Sequence, residues 1–264
     1  MKGNLKVLKK LPPLFAVPTT AGTGSEATLA AVISNSETHE KYPINDTSLI
    51  PHYAVLDPVL TKGLPKHITS TTGIDALTHA VEAYIGKSNT AETEKMAKDA
   101  VKLIFGNLKE AYDNGDNLEA RKNMQLAAFY AGIAFTRAYV GYVHAVAHTL
   151  GGMYSVPHGL ANSVILPYVL EYYGEAAHKR LAELADLVGI TSDGDTDAAK
   201  ADKFIKAIKD MNESMQIPNK IKGIKDEDIP IMVKRALKEA NPLYPVPKFM
   251  GAEEITEIFR IIKE

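Results

Sequence analysis

The stretch GIDALTHAVEAY occupies residues 73–84, and the stretch GYVHAVAHTLGGMYSVPHG occupies residues 141–159. Apolar residues recur in both at the spacing of an α-helix, which predicts buried helices that nevertheless carry histidines. We expect Gly151 and Gly152 to end the helix of the second stretch. Pro157 suits the first turn of the next helix, because the N–H that proline lacks has no partner there. The two stretches therefore predict a helical body with polar groups in its interior.

The helical pattern continues outward from these stretches over most of the chain. One of Ser70, Thr71 and Thr72 is expected to cap the first helix. The segments with helical periodicity are 68–107, 117–151, 159–173, 176–189, 226–239 and 252–263.

Short apolar runs at 14–18, 29–34 and 53–56 predict strands near the N-terminus. The chain is therefore expected to be mainly α, with a β-containing part at 1–60 and an all-helical part at 61–264. A part as small as 1–60 is unlikely to form a domain alone, since strands need partners and a core of their own. We interpret it as the remnant of a larger α/β domain that begins before Met1.

Composition excludes several classes of protein. The 264 residues are 45% hydrophobic, and 30 basic residues against 32 acidic ones give a net charge of −2, so no broad positive field favours nucleic acid. Zero cysteines exclude disulfides and thiolate metal sites. No run approaches the roughly 20 apolar residues of a membrane span, and the N-terminus lacks a normal signal-peptide core. A cytoplasmic protein without nucleic-acid or membrane partners is expected.

The histidines carry the chemistry. Asp75 and His79 are four residues apart and share a helix face, His144 has its own helix, and His158 begins another. One carboxylate and three imidazoles suit a divalent first-row metal such as Fe²⁺, Zn²⁺ or Mn²⁺. Each histidine alone is better explained as a satisfied core residue, so it is the set that favours metal. The string HAVAH lacks the glutamate of a zinc protease.

A second feature is the segment Thr19–Glu26, which reads TTAGTGSE. Its two glycines let backbone approach a ligand closely, and its hydroxyl groups add hydrogen-bond donors. A plain loop between strands is the alternative interpretation. Aromatic residues near the histidines, such as Phe135 and Tyr139, are interpreted mainly as packing residues. His39, His52, His67 and His178 are interpreted as surface residues.

The strings PTTAGTGSE, GIDALTHAVEAY and VHAVAHTLGGMYSVPHGLANSVILPYVL resemble the iron-containing (group III) alcohol dehydrogenase family. The resemblance runs from about residue 11 to the C-terminus. It implies a dehydroquinate synthase-like fold whose helical domain binds metal. The metal ligands implied by the resemblance are Asp75, His79, His144 and His158. His148 matches a family histidine beside the substrate and the nicotinamide, and is therefore the expected catalytic residue.

The resemblance also implies a bound cofactor, NAD or NADP, together with Fe²⁺ or Zn²⁺. The residues implied to contact the dinucleotide are Thr19, Thr20, Gly22, Thr23, Lys41 and Leu60. Family members normally hold the pyrophosphate with a GGGS motif, and this sequence contains none. A pyrophosphate needs several backbone donors at a glycine-rich turn, which the Thr19–Thr23 segment does not replace.

The implied function is a metal-dependent alcohol dehydrogenase or aldehyde reductase, which transfers a hydride between a small alcohol and NAD(P). The expected assembly is a homo-oligomer, because an uncovered strand edge and apolar face favour self-association. The alternative is a metal-binding helical module without redox activity, since most of the cofactor site is absent from these residues. A metal-assisted hydrolase or lyase is a third hypothesis, by analogy alone.

Overall fold

The computed structural model describes residues 3–5, 7–37 and 41–264. Within these residues all strands precede the first α-helix, and helices make up most of the rest. The strands are β1 (Gly3–Asn4), β2 (Phe15–Ala16), β3 (Ala30–Ser34), β4 (Lys41–Asn45) and β5 (Tyr53–Ala54). The helices are α1 (Lys66–Ile85), α2 (Ala91–Asp113), α3 (Leu118–Ala138), α4 (Tyr142–Tyr154), α5 (His158–Tyr173), α6 (Glu175–Leu187), α7 (Asp197–Ser214), α8 (Ile229–Ala240) and α9 (Ala252–Ile262). The expectation of a mainly α fold is confirmed.

The strands form two small sheets. In one, β4 lies between β1, which is parallel to it, and β3, which is antiparallel with Ile33 opposite Tyr42. In the other, β2 and β5 pair in parallel. Strand β4 is absent from the sequence prediction, because its residues KYPIN contain a proline and lack a clear apolar alternation.

Helix α1 forms the centre of the helical part. From Gly73 to Ile85 every residue is buried, so this helix is apolar on all faces rather than amphipathic. It packs against α2, α3 and α5. The predicted cap at residues 70–72 is wrong, because α1 begins four residues earlier, with Pro65 at the N-cap. Inside the helix these hydroxyl groups donate to main-chain carbonyls of the preceding turn instead.

Two predicted helical segments are each broken into two helices. The first break follows Gly86, where Asn89 Nδ2 donates to two carbonyls at the end of α1 and Thr90 caps α2 with a capping box. The second break lies at Tyr139, whose φ of 65° is left-handed. Gly151 and Gly152 do not end α4, which continues to Tyr154 before Ser155 turns left-handed.

Glycines allow two elements to approach α1 closely. A Cβ atom on Gly159 of α5 would lie 2.5 Å from the carbonyl oxygen of Thr71, and a Cβ atom on Gly22 would lie 2.7 Å from that of Thr72. Real Cβ atoms are not found at such distances from backbone. The first turns of α1 are therefore held between α5 and the Thr19–Glu26 segment.

The strand-containing part exposes many apolar side chains. Those with more than two fifths of their surface exposed here include Leu8, Leu14, Phe15, Val32, Tyr53 and Val59. None of the helices in the described residues is both long and apolar enough to cross a membrane.

Candidate metal centre

Helix α1 supplies two of the polar groups that the sequence singles out. Asp75 and His79 lie one turn apart and are almost fully buried. The imidazole of His79 stacks between two other rings, Phe135 of α3 at 4.2 Å between centroids and His144 of α4 at 4.5 Å. The i, i+4 spacing thus places both side chains on the face of α1 that meets α3 and α4.

Helices α4 and α5 supply the other two. His144 Nε2 lies 4.0 Å from Asp75 Oδ1, and His158 Nε2 lies 3.5 Å from the same oxygen. One ligand atom from each of Asp75, His79, His144 and His158 lies within 4.8 Å of all the others. Their side chains are buried except for that of His158, which is 31% exposed. The structure therefore brings together all four residues that were predicted as ligands.

Asn162, one turn after His158 on α5, lies at the centre of this group. Its Nδ2 donates to Asp75 Oδ1 at 2.6 Å and lies 3.2 Å from the Nε2 atoms of both His144 and His158. An amide nitrogen carries two hydrogens, so that it satisfies at most two of these three contacts. At least one of these ring or carboxylate atoms lacks a proton from Asn162, which is what a cation-binding set requires.

Burial decides the charge of the three imidazoles. It lowers the pKa of His79, lowers that of His144 well below its usual range, and lowers that of His158 to about 4. The nearby Asp75 carboxylate acts in the opposite direction on His79 and His158, but does not overcome burial. Neutral imidazoles have a free electron pair, and neutral imidazole is the form that binds metal.

A buried glutamate holds the far side of one imidazole. Glu82 Oε2 lies 2.6 Å from His144 Nδ1, and Glu82 Oε1 accepts from the backbone N–H of Val143 at 2.9 Å. Burial raises the pKa of Glu82 to about 8, although the N–H groups at the start of α4 favour its charged form. Gly141, the N-cap of α4, leaves room for it, since a Cβ atom there would lie 2.8 Å from Glu82 Oε1.

His148 lies beside the group but has a different partner. Its Nδ1 lies 2.7 Å from Glu239 Oε1 of α8, and Tyr244 Oη donates to the same oxygen at 2.7 Å. Its ring stacks on His158 at 5.3 Å between centroids. Burial acts against a charged ring here too, but the Glu239 carboxylate outweighs it and raises the pKa of His148. His148 is thus the histidine of the cluster that takes up a proton most readily.

All four potential ligands and His148 line one cavity of about 600 Å³. Phe135, Tyr139 and Thr136 line it as well, so that the interpretation of Phe135 and Tyr139 as mainly packing residues is incomplete. Tyr244 closes part of the wall. The cavity is large enough for a small organic molecule next to the polar group.

The residues predicted to contact the cofactor are divided by this cavity. Thr23 and Lys41 line it. Gly22 instead packs on α1, and Leu60 is 44% exposed. Thr19, Thr20, Gly22 and Leu60 are not among the cavity-lining residues.

Two anchors fix the segment that carries Thr23. Gly24 has a φ of 58°, and its Cα lies so close to α3 that a Cβ atom would lie 2.7 Å from the carbonyl oxygen of Ala128. Gln125 of α3 donates to the carbonyl oxygens of Pro18 and Asp57. Helix α3 thereby sets the position of this segment relative to the cavity.

Sequence reasoning missed three polar residues of the site, namely Glu82, Asn162 and Glu239. Glu82 follows His79 by three residues on α1, and Asn162 follows His158 by four on α5, so helical spacing was a usable signal for both. Glu239 lies 91 residues from its partner His148, and no local pattern identifies it. Of the remaining histidines, His52 and His67 are exposed and His178 is half-buried, whereas His39 lies outside the described residues.

Comparisons with known proteins agree with this geometry. The family description "Fe-containing alcohol dehydrogenase family, C-terminal" matches residues 69–262, and "Iron-containing alcohol dehydrogenase" matches residues 1–58. The 1,3-propanediol dehydrogenase of Klebsiella pneumoniae is 44% identical over 95% of this chain and 65% of its own length. The NAD-dependent methanol dehydrogenase of Bacillus methanolicus is 40% identical over 98% of this chain and 68% of its own length.

A solved structure shows the same fold. The alcohol dehydrogenase from Oenococcus oeni superposes with a TM-score of 0.93 at 42% identity, covering 99% of this chain and 68% of that protein. The chain described here thus spans about two thirds of the length of such proteins. Because the matches cover nearly all of its residues at this identity, the chain belongs to the iron-containing alcohol dehydrogenase family.

Proposed function

We propose that this protein is a metal-dependent alcohol dehydrogenase or aldehyde reductase that transfers a hydride between a small alcohol and NAD or NADP. The observation that carries the proposal is the convergence of one carboxylate and three neutral imidazoles on the wall of a cavity that also contains His148. The relatives named above support the class of reaction through their own names, as dehydrogenases of propanediol and methanol.

Asp75, His79, His144 and His158 would hold the cation. Nitrogen and oxygen donors without a thiolate fit Fe²⁺, and Zn²⁺ fits the same set. When bound, such a cation supplies Lewis acidity, which lowers the pKa of an alcohol and polarises an aldehyde. Asp75 is the one anionic group among the four, so that it sets the charge of the centre.

The chain's own residues would handle substrate and proton. His148 has Nδ1 engaged by Glu239, which leaves Nε2 to exchange a proton with a substrate oxygen in the cavity. Phe135 and Tyr139 add apolar and aromatic surface, which suits a small alkyl chain. Thr23 and Lys41 reach the same cavity from the strand-containing part, where we place the nicotinamide end of NAD(P).

An assay on the protein loaded anaerobically with Fe²⁺, or with Zn²⁺, tests the proposal. We expect methanol, ethanol or 1,3-propanediol to reduce NAD⁺ or NADP⁺, with absorbance at 340 nm as the readout, and calorimetry to show binding of NADH or NADPH. Metal binding without cofactor binding or turnover would instead support the alternative of a helical module without redox activity.

The position of the Thr19–Glu26 segment gives a prediction about cofactor affinity. Gly24→Ala places a side chain in a left-handed residue and against Ala128, so the segment must move away from α3. We expect the Kd of NADH to rise by about tenfold, which corresponds to about 1.4 kcal/mol, while metal stoichiometry stays unchanged.

Gly189→Ala is the matched control for this variant. Gly189 also has a positive φ, of 72°, but a Cβ atom there meets nothing within 4 Å. It should lose about 1 kcal/mol of stability and keep the Kd of NADH. Equal Kd values for the Gly24 variant and the wild type would contradict the role of this segment.

Two further expectations remain proposals. The exposed apolar side chains of the strand-containing part favour association with a second copy of the chain, and gel filtration that gives a monomer would contradict it. The cytoplasmic location and the division at residues 60 and 61 likewise remain predictions.

A further inference from the structure

The carboxylate of Glu82 contacts a predicted metal ligand on the side that faces away from the ligand group. Its two oxygens have different partners: Oε1 accepts from the N–H of Val143, and Oε2 lies 2.6 Å from Nδ1 of His144. The side chain is 1% exposed, so water does not replace either partner. Glu82 is therefore fixed at both oxygens.

We propose that Glu82 is a positioning residue that sets which nitrogen of His144 carries the proton, and thereby makes His144 Nε2 available to a divalent cation. This inference rests on the proposed function, because it assumes that the four-residue group holds metal. Glu82 itself lies outside that group.

The chemistry follows from the number of donors. An imidazole that gives the electron pair of Nε2 to a cation carries its remaining proton on Nδ1. Two donors then point at Glu82, His144 Nδ1–H and Val143 N–H, and they lie at separate oxygens. A carboxylate has two acceptor oxygens, and it satisfies both.

Helix α4 makes this arrangement rigid. Val143 lies in the first turn of α4, where N–H groups have no partner within the helix, and the N-cap residue Gly141 has no side chain to accept from them. Glu82 thus caps the helix that carries His144, as a residue of another helix. The same contact fixes the start of α4 and the orientation of the His144 ring.

Glu82→Gln separates this role from a general one. A glutamine has one acceptor oxygen and one NH₂ group, so if the oxygen keeps the bond from Val143, the NH₂ group faces His144 Nδ1. His144 then carries its proton on Nε2, where it blocks the cation. If the amide turns over, its NH₂ group faces the N–H of Val143 and a buried donor is left without an acceptor, at a cost of about 1–3 kcal/mol.

We expect the affinity of Glu82→Gln for Zn²⁺, measured by competition with a chelator, to be about 10- to 100-fold below that of the wild type. Glu183→Gln is the matched control: its carboxylate accepts a hydrogen bond from Tyr84 but contacts none of the four residues, and it should bind Zn²⁺ like the wild type. Nitrogen-15 NMR of the metal-free Glu82→Gln variant should show the His144 proton on Nε2.

Wild-type affinity in a folded Glu82→Gln variant, or a His144 proton on Nδ1 in its metal-free form, would overturn the inference. If that variant does not fold, NMR of the Zn²⁺-loaded wild type decides: coordination through Nε2 with the proton on Nδ1 supports it, and coordination through Nδ1 overturns it. Failure of the wild type to bind Zn²⁺ would refute the proposed function as well, which distinguishes the two cases.

Discussion

Replacing His144 by alanine should remove stoichiometric metal from the protein, whereas replacing His148 by alanine should leave it in place. The two residues are one turn apart on α4, but only His144 belongs to the four-residue group. His148 is engaged by Glu239 instead. Loss of one of four ligands should raise the Kd of Zn²⁺ by more than about 100-fold, since even outer partners of ligands are worth 10- to 100-fold.

Inductively coupled plasma analysis after Zn²⁺ loading and gel filtration measures this directly. His158→Ala serves as a second ligand variant, because its side chain is 31% exposed and its removal leaves no carboxylate buried without a partner. His148→Ala should keep about one ion per chain and lose about 10²- to 10⁴-fold in turnover, as expected for an acid–base group. An empty His148 variant beside a full His144 variant would reverse the assignment of these two residues.

The second large effect is expected at a residue that binds nothing. In Gly159→Ala the new Cβ atom would lie 2.5 Å from the carbonyl oxygen and 2.8 Å from the carbonyl carbon of Thr71, both backbone atoms of α1. Backbone cannot rotate away, so α5 must shift relative to α1 and carry His158 away from Asp75. We expect unfolding free energy to fall by about 1–3 kcal/mol, the usual cost of overpacking, and Zn²⁺ affinity to fall by about tenfold.

Gly106→Ala provides the comparison for this variant. It makes the same substitution inside a helix, at an exposed position of α2 where a Cβ atom meets nothing within 4 Å. It should be neutral or stabilise by up to about 1 kcal/mol, because alanine favours the helix. Urea unfolding and chelator competition give both quantities. A Gly159 variant that matches the Gly106 variant in both would show that the helices do not depend on this contact.

The sequence allowed the main features of the site to be predicted, since they depend on helical spacing. Asp75 and His79 lie on one face because they are four residues apart, and the same rule would have added Glu82. Spacing does not say which helices cross, and so the approach of α5 to α1 at Gly159 and the contact of Glu239 with His148 required the structure.

Local signals failed where a longer-range contact was stronger. The hydroxyl groups at residues 70–72 are typical of a helix cap, but here they bond to the preceding turn of a helix that begins earlier. Gly151 and Gly152 are typical of a helix end, yet α4 continues through them while it packs on α5 and α8. Lys41 of β4 lies over Gly151, so the absence of a side chain there makes room for a residue of the cavity wall.

The origin of the four ligand groups on three separate helices couples folding to ion binding. An unfolded chain offers no place where Asp75, His144 and His158 meet, so a cation held by them would bind the native state alone. At a free concentration 100 times the Kd, this linkage adds about 2.7 kcal/mol to the native state. A chelator would consequently act on this protein as a mild denaturant, and its melting temperature would report how much free metal surrounds it.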